Sequence, residues 1–251
     1  MFKKWLIIFS LTSSAWGYNL TQDFINGFYW ASLPIKIIVM DSDANRKAEL
    51  LSLAEDAIGE WEGRTGLSLW DLTASGTSNV IRWSTNFAAE TRMDPHSVLA
   101  VAIRYTNGPY FAKTEIVING NHNSFNTGNS HLNKVNLGTT LVHELGHTMG
   151  LDHSHNMMAI MAPTLQTPYP GLHSDDLNGL ADAHQQMEHR QVTRYVSPLA
   201  YGEEKSSGQP LSCGTTGPVS AAGSANSLAS LGLGMLIGFV RKIIKWFKSR
   251  F

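Results

Sequence analysis

The residues most able to do chemistry lie in one short run, His143-Glu144-Leu145-Gly146-His147-Thr148-Met149-Gly150-Leu151-Asp152-His153. On a helix, His143 and His147 are one turn apart and share a face. Two imidazoles so placed can chelate one zinc ion, and Glu144 between them can handle a water on it. Gly150 can adopt positive φ and end the helix, letting the chain reverse and deliver His153 as a third ligand. Three protein ligands leave a fourth position for water, the pattern of a catalytic rather than a structural zinc. Met157 and Met158 downstream read as core filler, and His155 as a solvated loop residue.

Such a run needs a scaffold. Leu33 to Met40 is rich in β-branched residues and reads as a first strand. Asp41 to Asp43 turn the chain and can cap a helix. From Arg46 to about Thr65, Leu50, Leu53, Ala54, Ala57, Ile58 and Trp61 recur at helical spacing, and Gly66 ends that helix. Four more strands are expected at 67–72, 79–84, 98–105 and 114–119, with loops at 85–97 and 120–134. The helix carrying His143 is expected from about Val135 to Gly150. A Pro-rich loop follows, then a last helix capped by Ser174 and running to about His189.

Composition sets the outer bounds. The chain has 251 residues, 43% hydrophobic and 16% charged, enough for one good core. All 20 acidic residues but only 12 of the 19 basic ones lie in 18–240, so that part is net −8. This argues against nucleic acid as a partner. The other basic residues flank two apolar segments. Lys3-Lys4, the apolar run Trp5 to Leu11 and the small residues Ser13 to Gly17 form a signal-peptide pattern over 1–17, with cleavage after Ala15 or Gly17. Residues 18–196 read as the folded domain. Residues 197–227 turn to Gly, Ser, Pro and Ala and read as a linker. Residues 228–251 combine an apolar segment with a basic end. Cys213 is the single cysteine, so no intrachain disulfide can form.

Together these features resemble a metzincin, and within that clan a matrixin-type zinc protease. His143 to His153 matches the family's HExxHxxGxxH at every fixed position. Ala159-Ile160-Met161-Ala162-Pro163 resembles the Met-turn, with Met161 eight residues after His153, the matrixin spacing. Leu172 to Leu180 resembles the start of the family's C-terminal helix, and Leu99, Ala100, Val101 and Ala102 resemble its substrate-binding edge strand. The likeness spans roughly residues 28–190. It implies an α+β fold: a twisted five-stranded mixed sheet, two long helices, a zinc cleft, and a small C-terminal subdomain with Met-turn and terminal helix. It implies peptide hydrolysis with His143, His147 and His153 on one catalytic zinc, Glu144 as general base, Met161 packed beneath the histidines, and substrate added as a strand along 99–102.

The departures from the family carry information too. Val101 stands where the family usually has a histidine for a second, structural zinc, so that site is not expected. Calcium is common in the family, and no loop signature for it is seen, though it stays open as a second ion. A latency cysteine would have to lie upstream, and Cys213 lies far downstream. Asp175 resembles the family acid that bonds near the Met-turn or a new N-terminus; a plain helix cap is the other reading. The C-terminal end resembles the sorting tails of bacterial exported proteins. It would tether an exported, cell-surface or periplasmic protease to a membrane, or form an amphipathic surface helix. The expected partner is a protein or peptide substrate, and a monomer is expected. The competing reading is a zinc-binding domain that recognises peptides, with little or only self-processing activity; Glu144 argues against it, since such a binder needs no base.

Overall fold

The computed structural model describes residues 17–165 and 171–200, and the backbone of 211–216. The elements are β1 (Asn19–Leu20), α1 (Gln22–Ile25), β2 (Tyr29–Trp30), β3 (Ile35–Met40), α2 (Ala44–Thr65), β4 (Trp70–Leu72), β5 (Val80–Ser84), α3 (Phe87–Thr91), β6 (Val98–Asn107), β7 (Tyr110–Asn119), α4 (Ser130–Thr148), β8 (Leu151–Asp152), α5 (Ser174–Thr193) and β9 (Leu211–Thr216). The sheet runs β4-β3-β5-β7-β6-β9, with short β2 also paired to β7. The β4-β3-β5-β7 portion is parallel, while β6 is antiparallel to β7. This is the expected α+β architecture. The five expected strands are β3 to β7, and β2 and β9 enlarge the sheet.

The long helices form where polar caps and apolar stripes coincide. Asp43 accepts from the amides of Asn45 and Arg46, both at 2.9 Å, and so starts α2. Gly66, at φ 69°, ends it. Leu50, Ala54, Ala57, Ile58 and Trp61 form its buried stripe, and Trp61 Nε1 donates to the Val142 carbonyl of α4 at 2.8 Å. Helix α4 begins at Ser130, before the expected Val135, because Asn129 caps it through the Leu132 amide. Its polar first turn carries no apolar period to read.

Strand β6 is buried from Val98 to Arg104 because it lies between two cores. Leu99, Ala100 and Ala102 join the main one, with Leu141 and Leu145 of α4. Val98, Val101 and Ile103 meet Phe87 and Val117 in a smaller, wholly apolar cluster. The expected loop at 85–97 holds short helix α3, which supplies Phe87 to it.

Three expectations differ from the structure. Residues 99–102 form a strand as expected but are not the outermost one, because β9 pairs antiparallel on their free side. The expected linker over 197–227 contains that strand, and Ser197 is buried with its hydroxyl bonded to the Asn26 carbonyl. Met157 and Met158 are exposed rather than core. Among the described residues no helix is long and apolar enough to cross a membrane. Residues 1–16 of the expected signal peptide and the expected tail over 228–251 lie outside the described residues.

Candidate metal centre

Helix α4 presents His143 and His147 on one face, and β8 turns the chain so that His153 comes back beside them. Their ring centroids are 4.6 Å (143–147), 5.3 Å (143–153) and 5.1 Å (147–153) apart. One nitrogen from each lies within 4.8 Å of the others. Gly150, at φ 93°, makes the reversal possible, and a Cβ there would meet the Phe24 ring at 2.6 Å. Gly146 serves a different need, since a Cβ there would run into Met161 Sδ. Glycine there lets Met161 pack against the helix, where its side chain is buried.

Hydrogen bonds set which ring nitrogen faces the centre. His143 Nδ1 lies 2.6 Å from the Ile160 carbonyl oxygen and His147 Nδ1 2.7 Å from that of Leu151. A carbonyl only accepts, so each Nδ1 carries the proton and each Nε2 keeps its lone pair. Both Nε2 atoms are buried with no hydrogen-bond partner, a costly arrangement unless a metal takes the lone pairs. Burial, with His153 nearby, pushes His143 down to about 3. It drives His147 well below its usual value, helped by His143 and His153, and lowers His153 as well. The three imidazoles are therefore neutral at physiological pH, as metal ligation requires. This donor set fits zinc. Glu144, fully buried on α4, lies between the two helical histidines in sequence.

A second layer holds these ligands, and the sequence reading missed most of it. Asp176 accepts from the amides of Ile160 (2.9 Å) and Met161 (3.0 Å), fixing the Met-turn whose Ile160 carbonyl in turn orients His143. Asp176 also accepts from the His173 amide at 2.8 Å, and the His173 ring accepts from the Asp175 amide. This capping box makes His173, not Ser174, the cap of α5. Asp175 accepts from the amides of Gly17 and Tyr18 and from the Ser154 hydroxyl, so of its two expected roles the one near the N-terminal end of the domain holds.

The N-terminal segment straps the metal loop. Strand β1 pairs with β8, and Asn19 Nδ2 donates to the His153 carbonyl at 2.8 Å. The last carbonyls of α4 are also met: Trp30 Nε1 donates to that of Thr148 at 2.8 Å, and Arg104 Nη1 to that of His147. Arg104 is buried against Asp23, with Nε–Oδ2 at 2.7 Å and Nη2–Oδ1 at 3.0 Å. Asp23 lies in a stretch with no motif, and nothing local in the sequence marks it.

His122 and Asp94 also offer ligand atoms, but both are used structurally. His122 Nε2 lies 3.0 Å from the His96 carbonyl, and its Nδ1 accepts from the Ser124 amide. Asp94 accepts from the His96 amide and the Ser97 hydroxyl. His143, His147 and His153 are the one metal-competent cluster of three found among the described residues. Val101 is fully buried in the apolar cluster, so nothing at its position can ligate. A groove between α2 and α4, lined by Asp56, Glu60, His131, Lys134 and neighbours, contains none of the three histidines.

A mixed sheet, a helix bearing two metal-competent histidines, a third after a glycine turn and a methionine buried against that helix are the features of a metzincin-type domain. The family model described as matrixin matches residues 30–185, and the chain belongs to the matrixin family. No curated protein shows significant similarity to it.

Proposed function

We propose that the protein is a zinc-dependent endopeptidase that hydrolyses extended segments of proteins outside the cytoplasm. Zinc, when bound, supplies an activated water and polarises the scissile carbonyl. His143, His147 and His153 hold the ion. Glu144 accepts the water proton and delivers it to the leaving amine as the carbon–nitrogen bond breaks. Strand β6 at Leu99, Ala100, Val101 and Ala102 aligns the substrate main chain, on the side where β9 pairs.

The observation that carries this reading is the pair of buried Nε2 atoms without partners, on the helix that also buries Glu144. The test is cleavage of a peptide library by the full chain loaded with zinc, with chelator, and as Glu144→Gln. Chelator abolishes cleavage, and Glu144→Gln lowers kcat by about 10²–10⁴ while still binding one zinc. Cleavage that survives Glu144→Gln overturns the mechanism. Zinc binding by the unsubstituted chain without any cleavage points instead to a peptide-recognition domain.

The proposed location rests on the Lys3-Lys4 and Trp5 to Leu11 pattern and on the apolar and basic C-terminal end. Fractionation of tagged protein checks both: retention in the cytoplasm removes the export reading, and a soluble product that keeps its tail removes the tether.

A further inference from the structure

We propose that the protein carries its own occupant for the substrate edge: residues 211–216 lie along β6 in place of a peptide and compete with one. This rests on the peptidase reading above. Strand β9 runs antiparallel to β6 and pairs Thr215 with Ala100, Gly214 with Val101, Cys213 with Ala102 and Leu211 with Arg104. Ala100 to Ala102 are the positions along which an extended substrate adds. A sheet edge has one row of outward amides and carbonyls, so it holds one strand at a time. Strand β9 also lies against α4, the helix that bears His143, Glu144 and His147. It belongs to the same unit of the chain as the centre, residues 1–218.

The segment suits the role. Leu-Ser-Cys-Gly-Thr-Thr has no charge, and Pro210 and Pro218 bound it, which limits ladder pairing to a short stretch. Six residues form a ladder that can yield to a substrate. Being on the same chain, they compete at an effective concentration on the order of millimolar. Cys213, although far downstream in sequence, lies opposite Ala102 in this ladder.

The test uses the full chain with Gly214→Pro and Thr215→Pro together. In an antiparallel ladder every second residue turns its N–H to the neighbour, so one of two adjacent prolines must remove a bond to β6. The expected result is a KM for a peptide substrate lower by about tenfold, with kcat unchanged. Added Leu-Ser-Cys-Gly-Thr-Thr peptide then raises KM again in the variant. Hydrogen exchange at the amides of 99–104, measured in the Glu144→Gln background, is expected to speed up when the prolines are introduced. Equal KM and equal exchange with and without the prolines overturn the proposal. If no form cleaves peptide, the peptidase reading fails, and exchange alone decides whether 211–216 holds the edge. Should the double variant unfold, the two single proline variants make the same test, since one of them must break the ladder.

Discussion

On one face of β6, Arg104 is buried against Asp23 and donates to the His147 carbonyl beside the metal centre. On the other, Val98, Val101 and Ile103 meet Phe87 and Val117 in an apolar cluster. Both faces are buried, by different physics. The apolar face needs only volume and alternation. The polar face must give each buried donor and acceptor a partner, because an unmet one costs about 1–3 kcal/mol. Those partners come from far along the chain: Asp23 is 81 residues from Arg104, and His147 is 43. Val101 lies within this apolar cluster and is fully buried.

The contrast can be broken from its polar side first. Arg104→Met removes one half of a buried ion pair, strands Asp23 and takes the donor from the His147 carbonyl. The expected loss of stability is about 3–5 kcal/mol, read by denaturant unfolding of the metal-free protein. A loss near 1 kcal/mol would mean that Asp23 is satisfied without Arg104. A smaller change is expected at the Met-turn. Asp176→Asn turns one acceptor oxygen into a donor facing backbone amides, and so loosens the carbonyl that orients His143. Zinc affinity is expected to fall about 10–100-fold in a chelator competition. Unchanged affinity would make Asp176 a cap of α5 and nothing more.

The two faces also separate by pH. In the metal-free unfolded chain His143 takes a proton near 6.5, and in the fold only at about 3. Between those values the unfolded state binds more protons, so stability falls as pH falls. His143 alone contributes about 1.4 kcal/mol per pH unit across that window. Val101→Ala, on the apolar face, removes two methyl-sized groups. It is expected to cost about 2 kcal/mol by the same amount at pH 4.5 and pH 7. A pH-dependent cost would show that the apolar cluster is coupled to the histidines.

The metal ligands were legible because their information is local. His143 and His147 share a helical face by spacing alone, and Gly150 sets the reversal that brings in His153. Met161 was legible through its family spacing. The five central strands were legible where β-branched residues alternate. Helix α3 and the first turn of α4 were not, since neither carries an apolar period; Phe87 folds there because a distant cluster has room for it. The caps divided the same way: Asp43, beside the stripe it starts, was legible, whereas α5 is capped by His173 because Asp176 reciprocates.

By itself, then, the sequence determined the ligands, the candidate base and the family, all within spans that one helix turn or one tight reversal can reach. Tertiary structure decided what those residues could not specify. The Ile160 and Leu151 carbonyls choose the metal-facing nitrogen of each helical histidine. Asn19 ties down the His153 carbonyl from 134 residues away. Strand β9, far from β6 along the chain, covers the edge that was expected to be open. Such contacts have no period and no motif, because a hydrogen bond across a fold depends on where two backbones meet and not on their separation in sequence.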